Sequence, residues 1–323
     1  MLHTNYHEIK TSNNYQMGWQ LGKLFGKNIF NDLKRNRRPK HRIDKTKQME
    51  SLKLTKNTFP HLYQEIQGFS EAANISLNEL WYFIADDLDE KERCTTVITN
   101  NGYLFAHNED LDEYSANSIC VLKKSIKNFT ILELYYMDVL GGNAFSINSY
   151  GFVQSINTLP HKFKQSGIPR NIIARWMSET KSPDSDFIKL KNINRASGYN
   201  HNIAHFSGKV WNIECSAAKQ IMTKPPFPFC HTNHFLTNLA WKERTISRDS
   251  QLRLNFARAN TKKQMTFKNL NKIMSDDKQG PKNSLFNRNT IARVILDLNT
   301  KVLLIWLKRE QEKNWIKYDL DFC

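Results

Sequence analysis

The stretch over residues 94–112 constrains the fold of this chain more than any other part of the sequence. Every residue from Thr95 to Thr99 is β-branched, Asn101-Gly102 is a strong two-residue turn signal, and residues 103–106 form a second run that is mostly apolar. Two such runs on either side of an Asn-Gly pair are typical of antiparallel strands joined by a tight turn. We therefore predict a β-hairpin with strands at 94–99 and 103–107.

The predicted hairpin brings a cysteine close to a polar cluster. Cys94 opens the first strand, and Asn108, Glu109 and Asp110 follow the second. The start of one antiparallel strand lies beside the end of its partner, so Cys94 should meet this cluster, although 110 − 94 = 16 positions separate it from Asp110. A thiol beside a carboxylate and an amide is a candidate reaction centre.

The number of cysteines and the length of the apolar runs indicate the cellular compartment in which the protein is expected. Five scattered cysteines, an odd number, are typical of a reducing compartment. Cys120 and Cys215 lie in apolar strands and Cys323 is terminal, so we interpret all three as structural. No apolar run is long enough for a transmembrane helix, and the first residues lack the apolar core of a signal peptide. We expect a cytoplasmic protein, or one exported without a conventional signal peptide.

The pattern along the chain changes from helical to extended at about residue 94. Helical spacing predicts helices over 12–38, 44–57 and 59–73, then one that begins at Ser76, and later helices from Pro169 and over 184–191, 247–260 and 266–275. Further strands are predicted at 118–124, 129–137, 144–149, 152–157, 199–205, 209–215, 291–298 and 301–307. We predict one α+β domain over 1–323, with a mainly helical segment (1–93) before a strand-rich segment (94–323) that forms two stacked antiparallel sheets.

The net charge of +16 favours contact with anionic surfaces or substrates. The densest basic run, residues 34–42, could contact nucleic acid or an anionic membrane. It also fits the solvated end of a helix, because basic residues suit a helix C-terminus and Pro39 ends the helix. The second interpretation is favoured, and a nucleic-acid partner is not expected.

A second cluster of chemically active residue types comprises Cys230, His231, Asn233 and His234. Cysteine and histidine this close together are typical metal ligands, but no second Cys/His pair stands at zinc-site spacing, so no metal is predicted. The Asn233 amide offers two N–H donors and no nucleophile, which suits stabilisation of an oxyanion. An Asn-His pair also suits a turn, and this segment alone leaves both interpretations open.

Short segments spread along the chain resemble, in order, motifs of the penicillin acyltransferase-like family of N-terminal-nucleophile hydrolases, named for acyl-CoA:6-aminopenicillanate acyltransferase. They are YQMGWQLG at 15–22, EIQGFSEAANISL at 65–77, CTT at 94–96, HNED at 107–110, NSYG at 148–151 with NTL at 157–159, and HTNHF at 231–235. Each motif is short, but their order along nearly the whole chain is specific.

The resemblance implies a four-layer αββα sandwich and a precursor that cuts itself between Arg93 and Cys94, into pieces of 93 and 323 − 93 = 230 residues. Cys94 would then supply the thiol nucleophile and an α-amine of pKa roughly 8 that serves as its base. The resemblance further implies that Asn233 holds the oxyanion and that Asp110 organises the amine and the self-cleavage.

The same resemblance implies supporting roles for Thr96, Asn108 and His231, which lie in the matching motifs, and for Arg309, which stands near the position of a C-terminal arginine of the family. The chain departs from the family pattern at two places. Arg93 occupies a position where family members carry a small residue or an acid, and residues 306–310 contain no Gly-x-Pro.

The sequence thus predicts an amidohydrolase or acyltransferase with a cysteine nucleophile, which acts on a small acyl-amide or acyl-CoA-like substrate without a cofactor. One alternative is a non-catalytic basic protein of the same fold that contacts nucleic acid or an anionic membrane through residues 34–42. A second alternative is a metal hydrolase at His231 and His234. The residues do not specify an oligomeric state.

Overall fold

The computed structural model describes residues 5–34, 45–85, 94–137, 140–162, 165–240, 247–310 and 314–323, with the backbone alone at 30–34. The helices are α1 Asn14–Lys34, α2 Lys45–Thr58, α3 Pro60–Ala73, α4 Leu77–Ile84, α5 Arg170–Met177, α6 Pro183–Leu190, α7 Arg248–Asn260 and α8 Phe267–Met274. The strands are β1 Tyr6–Thr11, β2 Thr95–Thr99, β3 Leu104–Asp110, β4 Ile119–Ile126, β5 Phe129–Tyr136, β6 Phe145–Asn148, β7 Phe152–Thr158, β8 Tyr199–His205, β9 Val210–Cys215, β10 Gln220–Thr223, β11 Phe229–His231, β12 Thr290–Asp297, β13 Val302–Leu307 and β14 Ile316–Tyr318.

Within these residues the strands form two sheets. One has eight strands in the order β1-β4-β5-β6-β7-β8-β9-β10, and the other has six in the order β11-β2-β3-β12-β13-β14. The pairings are antiparallel except that of β1 with β4, which run parallel with Tyr6 opposite Val121. The predicted pair of antiparallel sheets is confirmed with this one exception. The parallel pairing needs a long crossover connection, and α1 to α4 lie in the chain between β1 and the strands that follow.

Three hydrophobic clusters separate the four layers. The first joins α1 to α6 to the outer face of the eight-stranded sheet, the second lies between the two sheets, and the third joins the outer face of the six-stranded sheet to α7 and α8. Representative residues are Leu21, Ile66, Leu122 and Ile203 in the first cluster, Val121, Phe145, Phe105 and Val294 in the second, and Val97, Ile295, Leu254 and Met274 in the third. The αββα sandwich is therefore confirmed.

Close packing of α1 on α3 explains the glycines at 18, 22 and 26. A Cβ atom at Gly18 would lie 1.7 Å from the carbonyl oxygen of Glu65, and one at Gly22 would lie 2.5 Å from the carbonyl oxygen of Phe69. Only a glycine surface lets the two helix backbones approach this closely. The helical segment is thereby anchored over the sheet.

The turn of the hairpin is longer than the predicted two-residue Asn-Gly turn. Thr99 is opposite Leu104, so four residues connect the strands, and φ is positive at Asn100 (54°), Asn101 (54°) and Gly102 (92°). The Asn100 side chain donates to the carbonyl oxygen of Met265, 2.8 Å away. This bond ties the turn to a residue far along the chain, which strand propensity alone does not reveal.

None of the described helices is both long and apolar enough to cross a bilayer. The single domain over 1–323 and its division at residue 93 stay predictions, since residues 86–93 lie outside the described part of the chain.

Candidate active site

The register of the hairpin sets Cys94 beside the polar cluster, as expected. Thr95 is opposite Asn108 in the pairing of β2 with β3. Continuing the same antiparallel register by one residue places Cys94, just before Thr95, opposite Glu109, just after Asn108. The thiol and the carboxylates therefore meet at one end of the hairpin, where Cys94 is almost completely buried.

The alternation of side chains along a strand divides this cluster between two faces. Cys94, His107 and Glu109 lie on the face that meets the eight-stranded sheet. Asn108 and Asp110 lie on the other face, which is covered by α7, α8 and the segment between α8 and β12. The sequence prediction treated the cluster as one group and did not separate the faces.

On the inner face, Cys94 Sγ, a ring nitrogen of His107 and a carboxylate oxygen of Glu109 all lie within 4.8 Å of one another. His107 Nε2 is 2.7 Å from Glu109 Oε2, and its Nδ1 is 2.9 Å from the Thr96 hydroxyl. The Tyr136 hydroxyl donates to the other Glu109 oxygen at 2.6 Å. The neighbours of the thiol are thus an imidazole and a carboxylate that hold one another.

Thr96 joins this group to a buried amide network on the opposite sheet. Its Oγ1 lies 2.9 Å from Ser155 Oγ and 3.2 Å from Asn157 Oδ1, and it accepts from Asn202 Nδ2 at 3.2 Å. Among the described residues, Asn157 Nδ2 has no hydrogen-bond partner although it is buried. Thr96 therefore lies beside the candidate centre, and a buried amide donor lies one contact away. The supporting role of Thr96 stays a prediction.

On the outer face, Asp110 accepts from Thr290 Oγ1 at 2.6 Å and from Asn287 Nδ2 at 2.9 Å, and it lies 3.9 Å from Arg253. Burial raises the pKa of Asp110 to about 6, against the lowering effect of Arg253. The Asn108 side-chain amide donates to two carbonyl oxygens, that of Met274 at the end of α8 at 2.9 Å and that of Leu285 at 2.7 Å. These bonds hold the end of β3 in place rather than presenting Asn108 to the thiol.

Arg253, on α7, connects the residues that the sequence singled out. Its guanidinium donates to the backbone carbonyl of Cys94 at 3.1 Å, to Thr95 Oγ1 at 3.0 Å and to Asn233 Oδ1 at 2.8 Å. With Asp110 at 3.9 Å, it contacts all three residues predicted to be catalytic. A planar, permanently charged fork of N–H donors suits such a bridge.

Asn233 is held from several sides in the loop after β11. Its backbone N–H donates to Ser250 Oγ at 2.8 Å, its Oδ1 accepts from Arg253, and its Nδ2 donates to the carbonyl oxygen of Thr158 at 3.1 Å. Because an amide nitrogen carries two hydrogens, the bond to Thr158 leaves a second N–H for another acceptor. The arrangement suits a donor whose direction is set before a substrate arrives.

His231 braces the same loop from the inner face. Its Nδ1 is 2.6 Å from the carbonyl oxygen of Thr232, to which it must donate, and its Nε2 is 3.0 Å from Glu214. Glu214 also accepts from the backbone N–H groups of Leu236 and Thr237. Burial alone would raise the pKa of Glu214, but these hydrogen bonds lower it below its usual value. His231 therefore supports the position of Asn233.

The alternative of a metal centre at His231 and His234 has no geometric support. Cys230 packs against α7 and α8, whereas His231 faces the other sheet. His234 Nδ1 is 2.7 Å from Ser250 Oγ, and burial lowers its pKa to about 4. In the part of the chain that the structure describes, the one group of three close metal-ligand types is Cys94 with His107 and Glu109.

The sequence model of acyl-coenzyme A:6-aminopenicillanic acid acyl-transferase matches residues 97–312, which is more than half of the chain. The chain belongs to this family. The match begins three residues after Cys94 and includes Asp110, Asn233 and Arg253. The family resemblance of the sequence motifs is thereby confirmed.

One curated relative is the beta-alanyl-dopamine/carcinine hydrolase of Drosophila melanogaster, which is 26% identical over 55% of this chain and 54% of that protein. The chain spans about half the length of this relative. The proteins that the chain resembles thus include a hydrolase and an acyl-transferase.

Solved structures with a similar outline include a mutant conjugated bile acid hydrolase from Clostridium perfringens and penicillin V acylase from Agrobacterium tumefaciens. The first has a TM-score of 0.48 at 15% identity, over 71% of this chain and 92% of that one. The second has a TM-score of 0.48 at 12% identity, over 71% and 86%. These superpositions are too loose to support an assignment of activity.

Arg309, for which the family resemblance implied a supporting role, lies apart from the candidate centre. Arg309 donates to the carbonyl oxygens of Asn117 and Ile119, at 3.0 and 3.1 Å, and burial lowers its pKa. These bonds hold the start of β4. Arg93 and most of the basic run at 34–42 are outside the described residues.

Sequence reasoning missed Arg253 and the pairing of His107 with Glu109. Arg253 lies in a mostly polar helix that carries two other arginines, Arg248 and Arg258, and nothing in the local sequence distinguishes it from them. Period-two alternation places Glu109 and Asp110 on opposite faces, because residues two apart share a face, but only the register of the hairpin decides which of them lies on the face of the thiol. Together the residues can hold a thiol, an amide donor and a fixed cation in one geometry.

Proposed function

We propose that this protein is a cysteine-dependent amidohydrolase or acyltransferase in which Cys94 is the nucleophile. The observation that carries the proposal is the Arg253 guanidinium, which bonds both the Cys94 carbonyl at 3.1 Å and the Asn233 amide at 2.8 Å. A single rigid group thereby sets the distance between the proposed nucleophile and the proposed oxyanion donor. Such positioning is what acyl transfer requires from a protein.

Maturation is part of the proposal. The chain adds one water molecule across the bond between Arg93 and Cys94, which frees the α-amine of Cys94 as a new N-terminus. An α-amine of pKa roughly 8 is deprotonated in a useful fraction near neutral pH and lies within one residue of the thiol. It can therefore take the thiol proton as the sulfur attacks.

The catalytic cycle then has two halves. The Cys94 thiolate attacks the carbonyl carbon of the substrate amide, and the negative charge that develops on its oxygen is held by the remaining N–H of Asn233. The amine of the substrate leaves with the proton from the α-amine, and a thioester with Cys94 remains. Water releases the acyl group as an acid, or a second amine accepts it as a new amide.

Asp110 acts in this scheme through Arg253 rather than through the thiol. Its carboxylate is 3.9 Å from the guanidinium and is fixed by Thr290 and Asn287. The carboxylate anchors the bridge that orients Cys94 and Asn233. This role keeps Asp110 as an organising residue, as the family resemblance implies.

The substrate class is a small acyl-amide. The Drosophila relative is named for beta-alanyl-dopamine and carcinine, and these two amides are therefore the first to test. An acyl-CoA thioester with an amine acceptor tests the transfer reaction that the family description names.

The decisive experiment combines intact mass with amide turnover. One species of 37.9 kDa would contradict self-cleavage, whereas two species that divide before Cys94 support it. Cys94→Ala should abolish both the cut and the turnover, and Cys230→Ala, another buried cysteine, should keep both. Turnover by the Cys94→Ala protein would overturn the proposal.

A further inference from the structure

The proposed mechanism uses Cys94 but gives no role to His107 and Glu109, which lie beside its thiol. Each residue offers one ligand atom of a kind that zinc prefers, namely a thiolate sulfur, an imidazole nitrogen and a carboxylate oxygen. All three atoms lie within 4.8 Å of one another, and all three side chains are buried. The polar atoms therefore converge on one point rather than on solvent.

The three ligand atoms are near enough to one another to share one ion. With zinc–nitrogen and zinc–oxygen bonds of about 2.0–2.1 Å and a zinc–sulfur bond of about 2.3 Å, neighbouring ligand atoms lie roughly 3.3–3.6 Å apart. His107 Nε2 and Glu109 Oε2 are 2.7 Å apart. An ion between them needs these two atoms to separate by about 0.6 Å, which small side-chain rotations supply.

The outer contacts of two of these ligands match those of metal-bound side chains. A histidine that binds a metal through one nitrogen usually donates its other N–H to a fixed acceptor, and a bound carboxylate is itself hydrogen-bonded. His107 Nδ1 is 2.9 Å from the Thr96 hydroxyl, and the Tyr136 hydroxyl donates to Glu109 Oε1 at 2.6 Å. Both contacts leave His107 Nε2 and Glu109 Oε2, which lie 2.7 Å apart, available to an ion.

We propose that Cys94, His107 and Glu109 form a binding site for a borderline divalent cation, Zn²⁺ in particular. Coordination releases the thiol proton of Cys94 to solvent and requires the ring proton of His107 on Nδ1, where Thr96 accepts it. The fourth position takes water or, in a processed chain, the α-amine of Cys94. Oxygen-preferring ions such as Mg²⁺ are excluded by the thiolate.

The site has a regulatory consequence that rests on the proposed function. Coordination to Zn²⁺ withdraws negative charge from the Cys94 thiolate and so lowers its nucleophilicity toward a carbonyl carbon. Bound zinc should therefore hold the enzyme inactive, and a chelator should restore turnover. Metal binding itself does not depend on the chain being an enzyme, so the two claims can fail separately.

The test uses the full chain incubated with ZnCl₂ or CoCl₂ and then desalted. We expect one metal ion per chain by elemental analysis, a thiolate-to-cobalt charge-transfer band, and zinc X-ray absorption that shows one sulfur with nitrogen and oxygen neighbours. MgCl₂ should leave no retained ion. Absence of retained zinc, or a zinc shell without sulfur, would overturn the site without any mutation.

Variants assign the ligands. Cys94→Ser, His107→Gln and Glu109→Gln should each remove the cobalt band or reduce zinc retention. Cys230→Ser, which changes a buried cysteine on the neighbouring strand, should keep the band. Thr96→Val should weaken zinc binding roughly 10- to 100-fold through the lost orienting contact. A band that persists in Cys94→Ser and disappears in Cys230→Ser would place the metal elsewhere and overturn the assignment.

Activity separates the two claims. Zinc bound with one sulfur ligand in a protein that cleaves no amide would leave the metal site standing and count against the proposed function. Full turnover at saturating zinc occupancy would overturn the inhibitory role.

Discussion

Arg253 shows how much of the candidate site depends on one side chain from a distant part of the chain. It follows Cys94 by 253 − 94 = 159 residues, yet it donates to the carbonyl of that residue and to the side chain of Asn233. A buried guanidinium with several acceptors costs little only where its charge is matched, and Asp110 supplies the opposite charge. The residue therefore combines a structural and a positioning role.

Replacing Arg253 by lysine tests that positioning role. Lysine keeps the charge but lacks the planar fork, so it cannot bond Cys94 and Asn233 together. We expect turnover to fall about 100-fold, because a small misplacement of reacting groups has an effect of that order. Steady-state kinetics with a chosen amide measures it.

Arg258→Lys is the matched control, since Arg258 is exposed on the same helix. It should leave the rate unchanged. Equal rates in Arg253→Lys and Arg258→Lys would contradict the bridging role.

Asn233→Ala tests the oxyanion donor. Removing one such donor lowers kcat by about 100- to 1,000-fold in well-studied acyl-transfer enzymes, and the same loss is expected here with little change in KM. Thermal unfolding of the variant checks that the loop still holds its hydrogen bonds. A variant that keeps its kcat while folded would assign the donor to another group, such as Nδ2 of Asn157, which has no hydrogen-bond partner within the described residues.

At the scale of elements, a buried ionic network ties the helices to the eight-stranded sheet. Glu65 on α3 is 2.9 Å from Arg175 on α5 and 3.6 Å from Lys124 on β4, and Lys124 is 2.7 Å from Glu133 on β5. Burial alone would raise the pKa of Glu65, but Arg175 and Lys124 lower it to about 2. The helical segment thus depends on charges from the strand-rich segment.

The lowered pKa of Glu65 predicts how stability changes with pH. A carboxyl group whose pKa falls from 4.5 to about 2 on folding stabilises the protein above pH 4.5 and loses that contribution as the pH falls toward 2. Glu65→Gln should lower the free energy of unfolding at pH 7 by about 3 kcal/mol and flatten its change between pH 5 and 3. Urea unfolding at several pH values measures both effects.

Glu50→Gln, at an exposed position of α2, is the control and should unfold like the unchanged protein. If Glu65→Gln showed the same pH dependence as this control, the ionic network would not be a source of acid sensitivity.

The elements missed by the sequence share one property. β1, β10, β11 and β14 are the edge strands of the two sheets and have six, four, three and three residues. These edge strands are short, and β1, β10 and β14 are also partly exposed, so neither a long β-branched run nor strict alternation identifies them. The sequence predicted the interior strands, which are buried on both faces, with bounds within a few residues of those observed.

At the scale of the whole molecule, the helical segment contributes to the sheet as well as to the outer layer. β1, which precedes α1, forms the edge of the eight-stranded sheet beside β4, and α1 to α4 supply much of the cluster on its outer face. A cut before Cys94 would divide the sequence without removing any of these contacts.

We therefore expect the two pieces of a processed chain to remain one particle. Denaturing mass spectrometry should show pieces of 93 and 230 residues, and native size-exclusion chromatography should show a single peak that contains both. The Cys94→Ala protein, uncut, should elute at the same volume. Separate elution of the 93-residue piece would contradict this expectation.

The sequence by itself determined the interior strands, the hairpin and the position of Cys94 beside a carboxylate, because these follow from periodicity and turn chemistry. Its short motifs resembled one family, and that resemblance implied the αββα class. Tertiary structure alone decided that Glu109 rather than Asp110 shares the face of the thiol and that Arg253 joins Cys94 to Asn233. Strand register sets the first, and packing of α7 over the six-stranded sheet sets the second. Both arise from contacts between residues far apart in the chain, which local sequence patterns do not encode.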